Sequence, residues 1–447
     1  MVRRYWAAAR APASALTAAF AVFCAGCGKA NDGSAPALNK PADTEPPKID
    51  VPADGPKLGA LAELTPILER PVPGAKQIGY LHAGAKVPRA AEAYSKEGCA
   101  GGWYPIRPRG FVCAGEIATT DLNHPTLAAM ALQPKLDQIL PYTYARTTAE
   151  TSIYERDPAR ENAVREAGKL RAKSSVAVVG SWQATDPEGK SQRLGMLTNG
   201  RFVAATDLSA GEQTDFKGVE LNDKLELPVA FVVKRGVRYW KIDKAEAEKA
   251  DKLDYHLTVP LTGRYREIDG LRYWAAVDGR FVRHRDVTVL RKRNVFPEFA
   301  TADQKWVDVS VVTGTLVLYE GRQPVYATLC SVGRDRLGDP KTSASTALGV
   351  FDVVSKHVTA VGHDPKRIAD YIDVYDLPWA LELTSGQYLH GAAWHDRFGI
   401  EYGLGGVQLA PADAVRVWHW AEPALPDGWH GTTLPAGARK TVVYVRK

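Results

Sequence analysis

The sequence contains no long run of positively charged residues, and its 57 Lys and Arg and 51 Asp and Glu are scattered along the chain. The net charge of +6 is small for this length, so we do not expect a nucleic-acid-binding surface. Charged residues make up 24% of the chain and hydrophobic residues 45%, which argues against an intrinsically disordered or membrane-embedded protein. A length of 447 residues is too great for one compact core and predicts about three domains.

Large apolar residues are nearly absent from residues 28–57, which are rich in Pro, Ala, Asp and Lys. Such a composition cannot form a buried core, so we predict a flexible tether over 28–57. Before the tether, a basic start is followed at residues 11–23 by an apolar stretch that is too short to span a bilayer as a stable helix. We therefore predict a targeting segment over residues 1–27.

The targeting segment ends in Cys24-Ala25-Gly26-Cys27, which resembles a bacterial lipobox. The resemblance implies that residues 1–27 are a lipoprotein signal peptide and that a lipidated Cys27 begins the mature chain. The protein is then expected to be exported and anchored to a membrane of the cell envelope, on the periplasmic side in a Gram-negative host. A plain secretory signal cleaved nearby is the alternative, and it also places the mature protein outside the cytoplasm.

Few cysteines remain once Cys24 leaves with the signal and Cys27 carries lipid. They are Cys99, Cys113 and Cys330. The first two flank a short loop in one module, and in an oxidising compartment a disulfide between them should contribute about 3 kcal/mol. Cys330 lies in the apolar run 325–332, so we predict that it is a buried small hydrophobic residue.

A glycine closely followed by Phe-Val recurs at residues 110–112, 200–203 and 279–282. Each occurrence closes a segment of short strands punctuated by Gly and Pro, which predicts small β-barrel modules. Their predicted bounds are 58–122, 123–220 and 221–299. The first module resembles a bacterial Src-homology-type barrel, with ILERPVPGAKQIGYLHAGAKV near its start and GWYPI and RGFV near its end. Residues 241–252 are rich in charge and are interpreted as a solvated helix or an insertion loop.

The last predicted domain, residues 300–447, contains the motif HGAAWHDRFGIEYGLGGVQL at 390–409. It resembles the signature of the L,D-transpeptidase (YkuD-like) catalytic domain, in which His-Gly is followed by Ser-His-Gly-Cys, an aliphatic residue, Asn or Arg, and an apolar residue. The matching positions are His390, Gly391, Gly405, Val407 and Leu409. This resemblance implies a mainly β fold with one substantial helix, beginning at Pro411, and peptidoglycan stem peptides as ligands.

The two residues that perform the family's chemistry are not matched. Gly406 stands at the position of the nucleophilic cysteine, Leu404 at that of the activating histidine, and Gln408 at that of the Asn or Arg. Attack on an amide by this route needs a thiolate and a base, so the domain is expected to bind stem peptides without catalysis. The expected substrate-binding residues are His390, Gly391, Gly405 and Gln408. Restoring both groups, by Gly406→Cys with Leu404→His, is predicted to return the chemistry.

Whether the chain is an enzyme stays open, because an altered site could still support L,D-transpeptidase activity in peptidoglycan cross-linking. Cys330, Thr384 and Ser385 are the candidates for a substitute nucleophile. A domain that only bridges protein partners is a third hypothesis. His390 and His395 with Asp396 have a weak metal-ligand spacing and no further ligands, so neither a metal nor another cofactor is expected.

Overall fold

The computed structural model describes residues 49–211, 214–244, 246–335, 337–360 and 376–447. The predicted signal segment, the predicted lipidation site Cys27 and most of the predicted tether lie outside these described residues. Residues 49–57, predicted as tether from their composition, instead belong to the first module, because Val51 is buried there and the first strand begins at Lys57. No helix in the described part of the chain has both the length and the apolar character needed to cross a membrane.

Seven short strands form the first barrel. They are β1 (Lys57–Ala60), β2 (Thr65–Leu68), β3 (Gln77–Leu81), β4 (Lys86–Pro88), β5 (Trp103–Pro105), β6 (Phe111–Cys113) and β7 (Ala118–Thr119). The order β3-β2-β6-β5 continues through a bridge between Arg89 and Ile106 into β4-β1-β7. A disulfide joins Cys99 to Cys113, as expected from their positions, with Cα atoms 5.8 Å apart. The short helix α1 (Pro125–Ala129) follows the barrel.

Two further seven-stranded units have the same topology. The second contains β8 (Thr143–Thr147), β9 (Thr151–Arg156), β10 (Val164–Leu170), β11 (Ser175–Thr185), β12 (Ser191–Leu197), β13 (Phe202–Ala204) and β14 (Leu208–Ala210). After β15 (Val219–Glu220), the third contains β16 (Val229–Val232), β17 (Arg238–Asp243), β18 (Glu246–Lys252), β19 (Thr258–Ile268), β20 (Leu271–Ala276), β21 (Phe281–Arg283) and β22 (Val287–Leu290). Their orders, β10-β9-β13-β12-β11-β8-β14 and β18-β17-β21-β20-β19-β16-β22, repeat that of the first unit strand for strand.

The repeated glycine explains why the three units share a sequence signal. Gly110, Gly200 and Gly279 have φ values of 87°, 74° and 84°, in the left-handed region that glycine adopts without steric cost. Each glycine forms the turn before the Phe-Val strand. The interpretation of residues 241–252 as a helix or loop is wrong, since they form the β17–β18 hairpin with Asp243 opposite Glu246. Pairing with β17 overrides the helical propensity of the Ala, Glu and Lys residues there.

The C-terminal domain closes into a barrel. Its elements are β23 (Lys305–Ser310), β24 (Thr315–Glu320), β25 (Gln323–Gly333), β26 (Gly349–Ala360), β27 (Leu377–Leu383), β28 (Tyr388–Gly391), β29 (Glu401–Gly403), β30 (Val407–Leu409), α2 (Pro411–Trp420), β31 (Gly431–Thr433) and β32 (Val442–Arg446). The order β27-β28-β30-β25-β24-β23-β32-β26 is closed by pairing of β26 with β27. Trp379 and Trp418 are buried between the strands and α2. The predicted mainly β class, with small barrels and one substantial helix, is confirmed.

The first barrel is joined to the C-terminal barrel by a shared sheet. Strand β3 pairs antiparallel with β31, with Tyr80 opposite Gly431. This close approach requires glycine, because a Cβ at Gly431 would lie 2.1 Å from the Tyr80 ring. A Cβ at Gly79 would likewise lie 2.5 Å from the Trp429 ring. The junction therefore brings Tyr80 and the neighbouring His82 against strand β26.

Candidate functional site

The loop that the sequence resemblance aligns with the family's nucleophile is packed against the rest of the domain. The Thr346 hydroxyl donates to the Gly406 carbonyl oxygen at 2.7 Å and accepts from the Gly333 N–H at 2.8 Å. Gly406 has a φ of 68°, and a Cβ placed on it would lie 2.4 Å from the Tyr388 carbonyl oxygen. The position therefore has neither the backbone conformation nor the space for a side chain. The predicted rescue through Gly406→Cys conflicts with this geometry.

Leu404, which the sequence resemblance aligns with the family's histidine, leaves 38% of its surface exposed. The neighbouring Gly405 has a φ of 112°, and Gln387 lies against it. The Gln387 amide donates to the Ser345 carbonyl oxygen at 2.9 Å, and its Oε1 accepts from the Ala347 N–H at 2.9 Å. This segment is thus held by amide and backbone groups, and Leu404 supplies no proton acceptor.

His390, Gly391 and Gln408 are brought together by the parallel pairing of β28 with β30, in which His390 lies opposite Gln408. His390 is buried, and its Nδ1 lies 2.8 Å from the Gly391 carbonyl oxygen, so Nδ1 carries the proton. Burial lowers the pKa of His390 to about 4, which keeps the imidazole neutral at physiological pH. Gly391 packs against Ala414 of α2.

His395 is joined to the group of His390, Gly391 and Gln408 through a hydrogen bond with Gln408. Its Nδ1 accepts from the Arg397 N–H at 3.0 Å, so Nε2 carries the proton and donates to Gln408 Oε1 at 2.8 Å. Burial lowers the pKa of His395 to about 4. The His395–Gln408 pair therefore fixes the orientation of the Gln408 side-chain amide.

Two of the candidate substitute nucleophiles, Cys330 and Thr384, and Asp396 of the metal spacing lie in surroundings that do not favour those roles. Cys330 is fully buried, and burial raises the pKa of its thiol far above the usual range. The Thr384 hydroxyl accepts from the Asp352 N–H, and Asp396 pairs with Arg235 at 2.6 Å. Among the described residues, no group of three or more His, Cys, Asp or Glu side chains is arranged to hold a metal.

Comparison with known proteins assigns the C-terminal domain. Residues 304–445 match the family model of the L,D-transpeptidase catalytic domain, so this part of the chain is similar to that family. Similar solved structures include L,D-transpeptidases from Xylanimonas cellulosilytica (18% identity, 34% of this chain and 64% of that chain, TM-score 0.23), Stackebrandtia nassauensis (20%, 33% and 62%, 0.22) and Mycobacterium smegmatis (18%, 41% and 77%, 0.25). The chain covers less than two thirds of the first two structures. No curated protein matches this chain.

A second polar cluster, which the sequence reasoning missed, lies on β26 and β27. Ser355 Oγ is 2.6 Å from His357 Nε2 and 2.5 Å from Glu382 Oε2. The Tyr80 hydroxyl, from the first barrel, lies 2.9 Å from His357 Nδ1. Ser355 and His357 are two residues apart on a strand, a spacing that places both side chains on one face. That spacing was the only sequence signal, because Glu382 and Tyr80 join the cluster through tertiary pairing.

Proposed function

We propose that this protein is a cell-envelope protein whose C-terminal domain binds peptidoglycan stem peptides without thioester chemistry at the family's catalytic positions. The observation that carries the proposal is the geometry at Gly406, whose φ of 68° and 2.4 Å Cβ contact exclude a cysteine there. Leu404 removes the base as well. The substitutions and the packed loop thus both support a loss of thiol catalysis.

Binding is supported by the groups that remain. Gly405 and Gly406 have no side chains, so the polar groups that they contribute to the loop are backbone N–H and carbonyl groups. Backbone N–H groups in such a loop bind carbonyl or carboxylate oxygens. Next to the loop, His390 and the His395–Gln408 pair are neutral and held in defined orientations. A stem peptide carries amide and carboxylate groups, which match this set of neutral hydrogen-bonding partners.

The N-terminal segment extends the proposal to location. The basic start, the short apolar stretch and the lipobox-like Cys24-Ala25-Gly26-Cys27 favour a lipid anchor at Cys27. The anchor and the export it implies support a position in the cell envelope, on the periplasmic side in a Gram-negative host. In cells, a Cys27→Ala variant should leave the detergent phase and migrate differently from the wild type. Unchanged partitioning and migration would contradict the anchor.

Calorimetric titration of the purified full chain with stem tetrapeptide tests the binding function. We expect weak binding that falls about tenfold in Gln408→Leu, since loss of one buried hydrogen-bond partner costs about 1.5 kcal/mol. Gln183→Leu, an exposed glutamine on β11 that contacts Ser191, is the matched control and should bind like the wild type. Absence of binding to wild-type protein, or a carbapenem thioester detected by mass spectrometry, would contradict the proposal.

A second candidate function, catalysis through an altered site, is favoured by one observation. Ser355 is in hydrogen-bond contact with both an imidazole and a carboxylate on the β26–β27–β28 side of the domain. This arrangement, rather than Cys330, Thr384 or Ser385, is where a substitute nucleophile can be sought.

A further inference from the structure

The serine cluster is placed beside the family's site by the sheet register. Ser355 on β26 lies opposite Glu382 on β27, which in turn lies opposite Tyr388 on β28. Side chains directly opposite each other on neighbouring strands share a face, so the three lie in one row. Tyr388 adjoins Gly406, since its carbonyl oxygen is the atom nearest to a Cβ built there. At about 4.8 Å per strand, Ser355 lies about 14 Å from the Gly406 loop.

The hydrogen bonds around His357 define which of its nitrogens can act as a base. The Tyr80 hydroxyl donates to the Thr359 carbonyl oxygen at 3.1 Å, so its oxygen is free to accept from His357 Nδ1–H. In the neutral imidazole the proton is therefore on Nδ1, and Nε2 lies 2.6 Å from Ser355 Oγ. The single Ser355 hydroxyl proton is donated to Glu382 Oε2 at 2.5 Å, and rotation of the hydroxyl about its Cβ–Oγ bond turns that proton towards Nε2. A base oriented by a third group and within reach of a hydroxyl is the arrangement that activates a serine.

Glu382 supplies a negative charge to the same cluster. Its Oε2 is 3.8 Å from His357 Nε2, and the side chains of His357 and Ser355 lower the pKa of the carboxyl, so it is ionised at neutral pH. A carboxylate at this distance stabilises the imidazolium that forms when His357 takes a proton. The Glu382 side chain is 36% exposed, against 15% for His357, so the cluster opens to solvent on the Glu382 side.

We propose that Ser355 is a nucleophile and His357 its general base, in a site that cleaves an amide bond of a peptide lying along the β26–β27–β28 face. In the first step Ser355 Oγ bonds to the carbonyl carbon while its proton passes to His357 Nε2. The carbon–nitrogen bond then breaks, and His357 returns the proton to the leaving amine. Water, deprotonated by the same imidazole, hydrolyses the acyl-serine and restores the hydroxyl. The choice of a stem peptide as substrate rests on the proposed function, whereas the activated serine does not.

Labelling of the full chain with a fluorophosphonate, followed by peptide mapping, tests the nucleophile without requiring the natural ligand. We expect one phosphonyl adduct on Ser355 in the wild type and none in Ser355→Ala. His357→Gln should label about 100-fold more slowly, because a positioned general base contributes roughly that factor. The labelling rate of the wild type should rise with pH as one group deprotonates, and this dependence should vanish in His357→Gln. Ser209→Ala, at an exposed serine on β14 that donates to the Arg146 carbonyl oxygen, is the matched control and should label like the wild type.

The outcomes separate this inference from the binding function. A folded wild-type protein that gives no adduct on Ser355 would overturn the nucleophile, and the cluster would then only connect the first barrel to β26. An adduct on Ser355 without stem-tetrapeptide binding would retain the nucleophile and reject the peptidoglycan ligand. Labelling of His357→Gln at the wild-type rate would also overturn the proposal, since the imidazole would not be the base.

Discussion

The junction between the first barrel and the C-terminal barrel contains uncharged histidines and is expected to weaken in mild acid. His82 stacks on His430 with ring centroids 4.6 Å apart and on Tyr80 at 5.4 Å. Among the described residues, His82 Nδ1 and both ring nitrogens of His430 have no hydrogen-bond partner. His357 lies on the other side of Tyr80, at 5.7 Å, with Glu382 beyond it. A proton added to His82 or His430 would therefore be buried without a counter-ion in contact.

The expected loss of junction stability in acid follows from the pKa of His82. Burial lowers that pKa from 6.5 to about 4, and burial also lowers the pKa of His430 well below its usual value. A lowered folded-state pKa means that the stability is fully present above the unfolded value of 6.5 and is lost as the pH falls from 6.5 towards 4. For His82 alone, the free energy needed to open the junction falls by about 2 kcal/mol between pH 7.5 and pH 5. That corresponds to a factor of about 30 in the opening equilibrium of the junction.

Hydrogen exchange of the β3 and β31 amides, corrected for intrinsic rates, measures this opening. The protection factors should fall about 30-fold more between pH 7.5 and pH 5 in the wild type than in His82→Phe, which keeps a stacked ring but cannot titrate. His419→Phe, at an exposed position on α2, is the control and should show the wild-type pH dependence. Equal losses of protection in wild type and His82→Phe would refute the reasoning, because protonation of His82 would then make no contribution to the pH dependence of opening.

Four further sets of substitutions test the packing and the disulfide. Gly406→Ala should destabilise the protein by about 1–3 kcal/mol in urea unfolding, because Gly406 has a φ of 68° and its Cβ would contact Tyr388. For the same reason, Gly406→Cys with Leu404→His should yield no carbapenem adduct. An adduct would show that the loop can rearrange. Gly431→Ala should raise hydrogen exchange in β3, since its Cβ would lie 2.1 Å from the Tyr80 ring; unchanged exchange would contradict this. Replacing Cys99 and Cys113 by alanine should cost about 3 kcal/mol of stability, and an unchanged unfolding midpoint would argue against the disulfide's contribution.

Features with a local cause could be predicted from the sequence. The recurring glycine before Phe-Val marked the same turn in all three barrels because the left-handed φ at Gly110, Gly200 and Gly279 is a local requirement. The order of motifs around His390 and Leu409 indicated the C-terminal family for a similar reason, since these residues lie within one strand–loop–strand unit. Neither inference needed knowledge of how distant segments pack.

Features that depend on distant segments could not be predicted. A side chain at Gly406 is excluded by the Tyr388 carbonyl oxygen, which arrives from β28. The Gly406 carbonyl oxygen is held by Thr346, which arrives from the segment before β26. Tyr80 reaches His357 across 277 positions of sequence, so no local pattern could connect them. The hairpin at residues 241–252 was missed because its composition favours a helix and only pairing with β17 decides otherwise.

The three barrels share a topology, and the composition of one strand explains why only the first extends the C-terminal sheet. The equivalent strands β3, β10 and β18 each lie at one end of their own barrel's strand order. β3 has the sequence QIGYL and is almost entirely buried, whereas β10 is VREAGKL, with a bulge at Gly168, and β18 is EAEKADK. Charges and bulges on an edge strand oppose pairing with another strand. Within the described residues, β10 and β18 accordingly pair only with their hairpin partners, while uncharged β3 pairs with β31 and delivers Tyr80 to His357.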